Sequence, residues 1–229
     1  MRASNWLSES LAVLAKDLRS ELRSRVAVNA VGLFALTTLV AVAYQIGPYR
    51  IHEDDRPHLL AALLWIILYF AAASGLSRVF VKEEDAHTAN TLRLAARPGA
   101  VFAGKLLFNL VLLAMLEVLV VPLYCALMGY AIAGVLPFVA LLVAGSIALA
   151  ATATIIAAII SRASGSGTLF AILSVPLVLP VLVFLIQGTR AAAASSEMAA
   201  VVPALQAIVS LAGVTLIAAT FLFPVVWHD

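Results

Sequence analysis

Apolar residues run through this chain in six long blocks, and the intervals between them hold most of the charge. The blocks cover about 26–46, 59–77, 106–128, 138–160, 169–187 and 205–223. Each is close to the ~20 residues a helix needs to cross the ~30 Å hydrocarbon core. The pattern predicts an all-α, polytopic membrane protein with six transmembrane helices. Ahead of them, Leu7, Leu11, Leu14, Leu18 and Leu22 recur at spacings of three and four. Lys16, Asp17, Arg19, Glu21, Arg23 and Arg25 cover much of the remaining surface. This periodicity predicts an amphipathic helix over 4–25. Such a helix lies in the membrane interface with its basic groups toward lipid phosphates, or packs on a partner protein. The organisation is then an interfacial helix (1–25), a six-helix unit (26–223) and a brief tail (224–229).

Composition agrees with this reading. Of 229 residues, 64% are hydrophobic and 11% charged, against about 45–50% and 25% in soluble domains. No room is left for a separate soluble domain. The net charge of +2 does not point to nucleic acid. Eleven of the fourteen Lys/Arg fall before 26, in 78–105 or at Arg162, and only Arg50, Arg56 and Arg190 fall on the other side. The positive-inside rule therefore places both termini, 78–105 and the polar loop 161–168 in the cytoplasm. No cleavable signal peptide is expected, because the first 25 residues carry eight charges and no continuous apolar core. The single cysteine, Cys125, excludes an intrachain disulfide and reads as a small buried residue.

The interval 78–105, RVFVKEEDAHTANTLRLAARPGAVFAGK, is the only long charged stretch between spans. Its first part, through Asp85, extends the second helix. Residues 90–96 form a short helix with Leu92 on an apolar face, and Pro98-Gly99 then breaks the chain. A membrane protein with so little soluble mass meets soluble partners through such a segment, so it reads as a cytoplasmic coupling element. The fourth span, rich in Ala, Gly, Ser and Thr, suits an interior or interface helix. The fifth carries Pro176 and Pro180, each freeing a carbonyl one turn earlier, and predicts a kinked or interrupted helix. An Ala-rich exterior segment, 188–204, suits a short interfacial helix.

Few residues offer chemistry. Gly99 to Lys105 fits the opening of a phosphate-binding loop, but Leu106 stands where Ser or Thr should hold magnesium, and no strand precedes it. Lys105 reads instead as an anchor at lipid phosphates. The cluster His52, Glu53, Asp54, Asp55 and His58 matches no known ligand spacing and reads as a solvated loop rather than a metal site. No catalytic constellation appears. Glu117, near the middle of the third span, is the sharpest single residue, because a carboxylate at that depth must be protonated, paired or facing a polar cavity. It is either a substrate-path or gating group or a neutral acid bonded to a neighbouring helix. Asn109, eight residues earlier, shares its face.

The elements F-V-K-E-E-D (80–85), N-T-L-R-L (90–94) and R-P-G-A-V-F-A-G-K (97–105), with the doubled-proline run G-T-L-F-A-I-L-S-V-P-L-V-L-P-V-L-V-F (167–184), resemble the haem exporter protein B family of the cytochrome c maturation system. Length, six spans and the basic N-terminal helix also agree. The resemblance implies an ABC-2-type permease in the bacterial inner membrane, not itself an enzyme. It implies a separate cytoplasmic ATPase, a second copy of the chain, further maturation subunits and a periplasmic haem chaperone. ATP would bind the partner, haem would be the substrate, and this chain would hold no cofactor of its own. By carry-over, Glu83, Glu84, Thr91, Leu92 and Pro98 would serve ATPase coupling. Glu117, Pro176 and Pro180 are the intramembrane candidates. Two other readings remain: a subunit of the same complex that couples energy without moving substrate, and an unrelated efflux permease.

Overall fold

The computed structural model describes residues 5–46, 55–85, 88–161 and 166–228. The candidate ligands His52, Glu53 and Asp54, along with His87 and residues 162–165, lie outside them. Helices over Trp6–Ser24 (α1), Val26–Ile46 (α2), Arg56–Leu76 (α3), Arg78–Asp85 (α4), Ala89–Ala95 (α5), Pro98–Met128 (α6), Val135–Ile160 (α7), Ser166–Ala194 (α8) and Val202–His228 (α9) account for nearly all of this, with no strand among the described residues. Among the described residues, six stretches are long and apolar enough to cross a membrane. Six crossings return the chain to the side on which it began, so α1, α4, α5 and the end of α9 gather at one end of the bundle.

The centre belongs to α7. Its apolar window is 72% buried, against 17% for α2 and 22% for α9 at the periphery. Every residue from Ala148 to Ala158 is buried, which follows from their size. Ala, Gly, Ser and Thr let neighbouring backbones approach, and packing rather than the hydrophobic effect holds helices together in lipid. Gly145 shows the tolerance: a Cβ there would lie 2.8 Å from both Trp65 and Leu185. Several buried polar groups are paired between helices. Trp65 Nε1 donates to Thr189 Oγ1 at 2.8 Å, Tyr69 and Ser174 share a 2.8 Å bond, and Tyr124 donates to the Leu60 carbonyl at 2.7 Å.

Several sequence-based expectations are corrected. The sixth membrane helix continues to His228, so 224–228 is no free tail: Trp227 is buried and stacks on Phe223 with centroids 5.4 Å apart. The doubled-proline helix is not interrupted, running from Ser166 to Ala194. It absorbs the start of the expected exterior helix, of which only a 3₁₀ turn over Met198–Ala200 remains. Pro176 and Pro180, four residues apart, sit on the exposed face of α8, away from the side that buries Ser174, Val178 and Val181.

The N-terminal helix also differs in orientation. It buries Ser10, Val13, Asp17 and Glu21 against the bundle, while Leu7, Leu11 and Leu22 stay exposed. Leu7, Leu11 and Leu22 thus remain free for the membrane interface, while Leu14 and Leu18 pack partly against the core beside a mostly polar docking stripe. Close approach to α6 is possible because residue 104 is glycine: a Cβ there would meet Val13 Cβ at 2.6 Å and the Ser10 carbonyl at 2.8 Å. Arg25 closes the helix in the left-handed conformation (φ 54°), an uncommon state for a residue with a Cβ. The corner turns the chain from α1 directly into α2.

Candidate functional site

The charged end of the bundle is built by α1, α4, α5, the start of α6 and the end of α9. α4 carries α3 onward past Ser77, as its pattern implied. Phe80 on its inner face meets Phe223 and Trp227 at 5.6 and 5.9 Å, and Phe102 meets Phe223 at 5.3 Å. This aromatic cluster braces the segment from below. Arg93, on α5, lies 5.2 Å over the Trp227 ring and 3.9 Å from Glu84. The seven-residue α5 is too short to stand alone, and tertiary contacts hold it: Leu92 is buried in the core.

Glu83 points inward. It contacts Lys16, pairs with Lys105 Nζ at 2.7 Å and accepts a 2.6 Å hydrogen bond from Thr88 Oγ1. Lys105 is 1% exposed and also lies 2.9 Å from Asp17 Oδ2. Lys105 is therefore no lipid anchor; the helix begins at Pro98, so position 105 lies two turns inside it. Burial works against the charge on Lys16, but the carboxylates of Glu83 and Asp17 outweigh it and hold its pKa above the ordinary lysine value. Nearby, Glu9 accepts a 3.1 Å hydrogen bond from the Arg97 backbone N–H, at the N-cap of α6, where orphan N–H groups favour a carboxylate.

The five coupling candidates thus separate. Glu83 and Leu92 are buried, and Pro98 opens α6, its missing N–H costing nothing at the first helical position. Glu84 is partly exposed and Thr91 exposed. Sequence reasoning passed over Leu94, which is 91% exposed. The signal was present: within N-T-L-R-L, Leu92 and Leu94 are two apart and cannot share a helical face.

In the membrane interior, Glu117 Oε1 accepts a 2.7 Å hydrogen bond from Ser146 Oγ, and Asn109 Nδ2 donates to Thr154 Oγ1 at 2.9 Å. The two bonds lie eight residues apart on α6 and eight on α7, as an antiparallel pair requires. They stitch α6 to the central helix. Among the described residues, no group of three or more metal-ligating side chains comes together.

Six apolar helices with these few satisfied polar contacts define a multi-pass, all-α membrane protein. Residues 8–226 match the CcmB protein family, and the chain belongs to it. Members are permease-type membrane subunits rather than enzymes, and components of a multi-subunit ABC haem-export system in cytochrome c maturation. Membership sets aside the unrelated efflux permease. No curated protein matches the chain.

Proposed function

We propose that this chain is the permease subunit that transmits the work of a separate cytoplasmic ATPase to haem export and to loading or release of a periplasmic haem chaperone. One observation carries the reading. At the end of the bundle where most of the basic residues lie, a short helix is braced from behind by Leu92, Arg93 and Trp227 and presents Leu94 outward. Thr91 and Ala95 are exposed beside it on α5, and Glu84 and Asp85 flank it on α4. A braced element with one exposed apolar side chain inside a polar surround has the layout of an interface patch, an apolar centre with a polar rim. An ATPase that contacts it differently in its two nucleotide states can shift the bundle. Glu84, Asp85, Thr91 and Leu94 form the docking face in this reading; Glu83, Leu92 and Pro98 support it from inside. ATP binds the partner and haem is the substrate class. The protein sits in the bacterial inner membrane with both termini in the cytoplasm. A second copy of the chain and further maturation subunits complete the assembly.

The second reading, energy coupling without translocation by this chain, is favoured by one feature. The central helix is closely packed, and Glu117 is engaged with Ser146. A route for haem would then run between chains. Affinity purification from native membranes in mild detergent, with every partner identified, tests both readings. Recovery of an ATPase together with haem-handling subunits is expected; recovery of the chain alone contradicts the proposal. Glu117→Gln and Pro176→Ala/Pro180→Ala separate the two. Lost c-type cytochrome in an assembled complex favours translocation through this chain, and full production favours coupling alone.

A further inference from the structure

The charge cluster at the inner end has no part in the docking face, yet it concentrates four ionisable groups in one place. Lys105 comes from α6, Glu83 from α4, and Lys16 and Asp17 from α1. Two cations face two anions, so the group is neutral as a unit. Lys105 lies at its centre, 1% exposed, with Glu83 at 2.7 Å and Asp17 at 2.9 Å. An amphipathic helix held only by lipid would need no such contacts. This helix buries its acids and leaves leucines exposed. Its attachment is therefore specific, made at three points. Glu9 receives the Arg97 N–H, Asp17 and Lys16 join the cluster, and Glu21 accepts a 3.1 Å hydrogen bond from the Val28 N–H at the start of α2.

We propose that Lys105 is a positioning residue that latches the N-terminal helix to the coupling segment, so that α1, α4 and α5 move as one platform and pass displacement to α2 through Glu21. The inference rests on the reading of α4 and α5 as the ATPase contact. The chain of contacts is continuous: α5 is held through α4, Glu83 on α4 meets Lys105 and Lys16, and α1 ends on the first turn of α2. The receiving helix is the least buried of the six spans, so it meets the least resistance to movement. A breakable latch or a static anchor would give the same resting geometry but different behaviour through the cycle.

The reporter is a cysteine pair outside the cluster. Ala12 on α1 and Ala96, which caps α5, line the same cavity of about 290 Å³, and Ala96 is half-buried, away from the docking face. Ala12→Cys/Ala96→Cys is placed in a Cys125→Ser background and treated with a short bis-maleimide, in the purified complex with its ATPase. Crosslinking is read without nucleotide and after vanadate trapping with ATP. Equal yield in both states is expected, and the crosslinked complex should keep its ATP hydrolysis. The neutral pair Lys105→Met/Glu83→Gln leaves no uncompensated buried cation and keeps the complex assembled. It should lower the crosslink yield several-fold and reduce ATP-coupled cytochrome production. A yield that collapses on trapping, a crosslink that stops hydrolysis, or a double variant with undiminished yield would each overturn the latch. If Leu94→Ala leaves hydrolysis and ATPase retention unchanged, the coupling reading fails instead, and the dependence of the crosslink on Lys105 is still read in membranes.

Discussion

Lys105 illustrates how a residue's neighbours decide its role. At the end of an apolar run it has the sequence signature of a snorkelling lysine, yet it lies buried between Asp17 and Glu83. Removing it alone leaves two buried carboxylates sharing the partly exposed Lys16, one negative charge in excess, which costs up to about 3–5 kcal/mol. Lys105→Met should therefore lower the midpoint of thermal unfolding in detergent far more than Lys105→Met/Glu83→Gln; equal losses would mean the charges are solvated. Gly104 makes a steric prediction at the same contact. Gly104→Val places methyl groups where Val13 and the Ser10 carbonyl already sit, an overpacking of about 1–3 kcal/mol. Faster proteolysis of 5–24 in the variant would report the lost docking, and unchanged proteolysis would argue against it. Glu117 behaves differently. Its bond to Ser146 is retained by Gln, whose carbonyl also accepts, so Glu117→Gln should leave stability intact, whereas Glu117→Ala should cost on the order of 1 kcal/mol, as interhelical bonds in lipid do.

At the scale of elements, α5 and the end of α9 depend on each other. Trp227 stacks on Phe223, meets Phe80 and lies beneath Arg93. Trp227→Ala removes the brace under the coupling segment and should cost about 3–5 kcal/mol if the gap stays open. Hydrogen exchange should then quicken in 78–95 and leave α7 unchanged; uniform quickening would instead report a global loss. The spans were legible from hydropathy, and the small residues of α7 marked it as an interior or interface helix, of which the packing of this chain shows the first. The coupling helix and the buried face of Leu92 followed from period and from Pro98-Gly99. The docked end of α9 was not legible, since the few residues after 223 are too short a stretch to register by themselves. Nor was the charge cluster, whose members lie 16 to 105 residues along the chain and meet only through tertiary packing.

For the whole molecule, two functions are assigned to opposite parts. The centre is packed around α7 and carries interhelical bonds, while the inner end gathers the charged residues, an exposed leucine and the N-terminal helix. In the proposed reading, motion driven by a cytoplasmic ATPase enters at that end. Glu83 belongs to the internal support there, so replacing the whole Glu83-Glu84-Asp85 run would confound docking with folding. The most direct measurement is ATP hydrolysis by the complex purified through this chain, comparing the intact protein with Glu84→Ala/Asp85→Ala/Leu94→Ala, which leaves every buried contact of Glu83 in place. The account predicts an intact bundle, weakened retention of the ATPase and hydrolysis reduced at least several-fold. An ATPase retained at full stoichiometry with undiminished hydrolysis would contradict it.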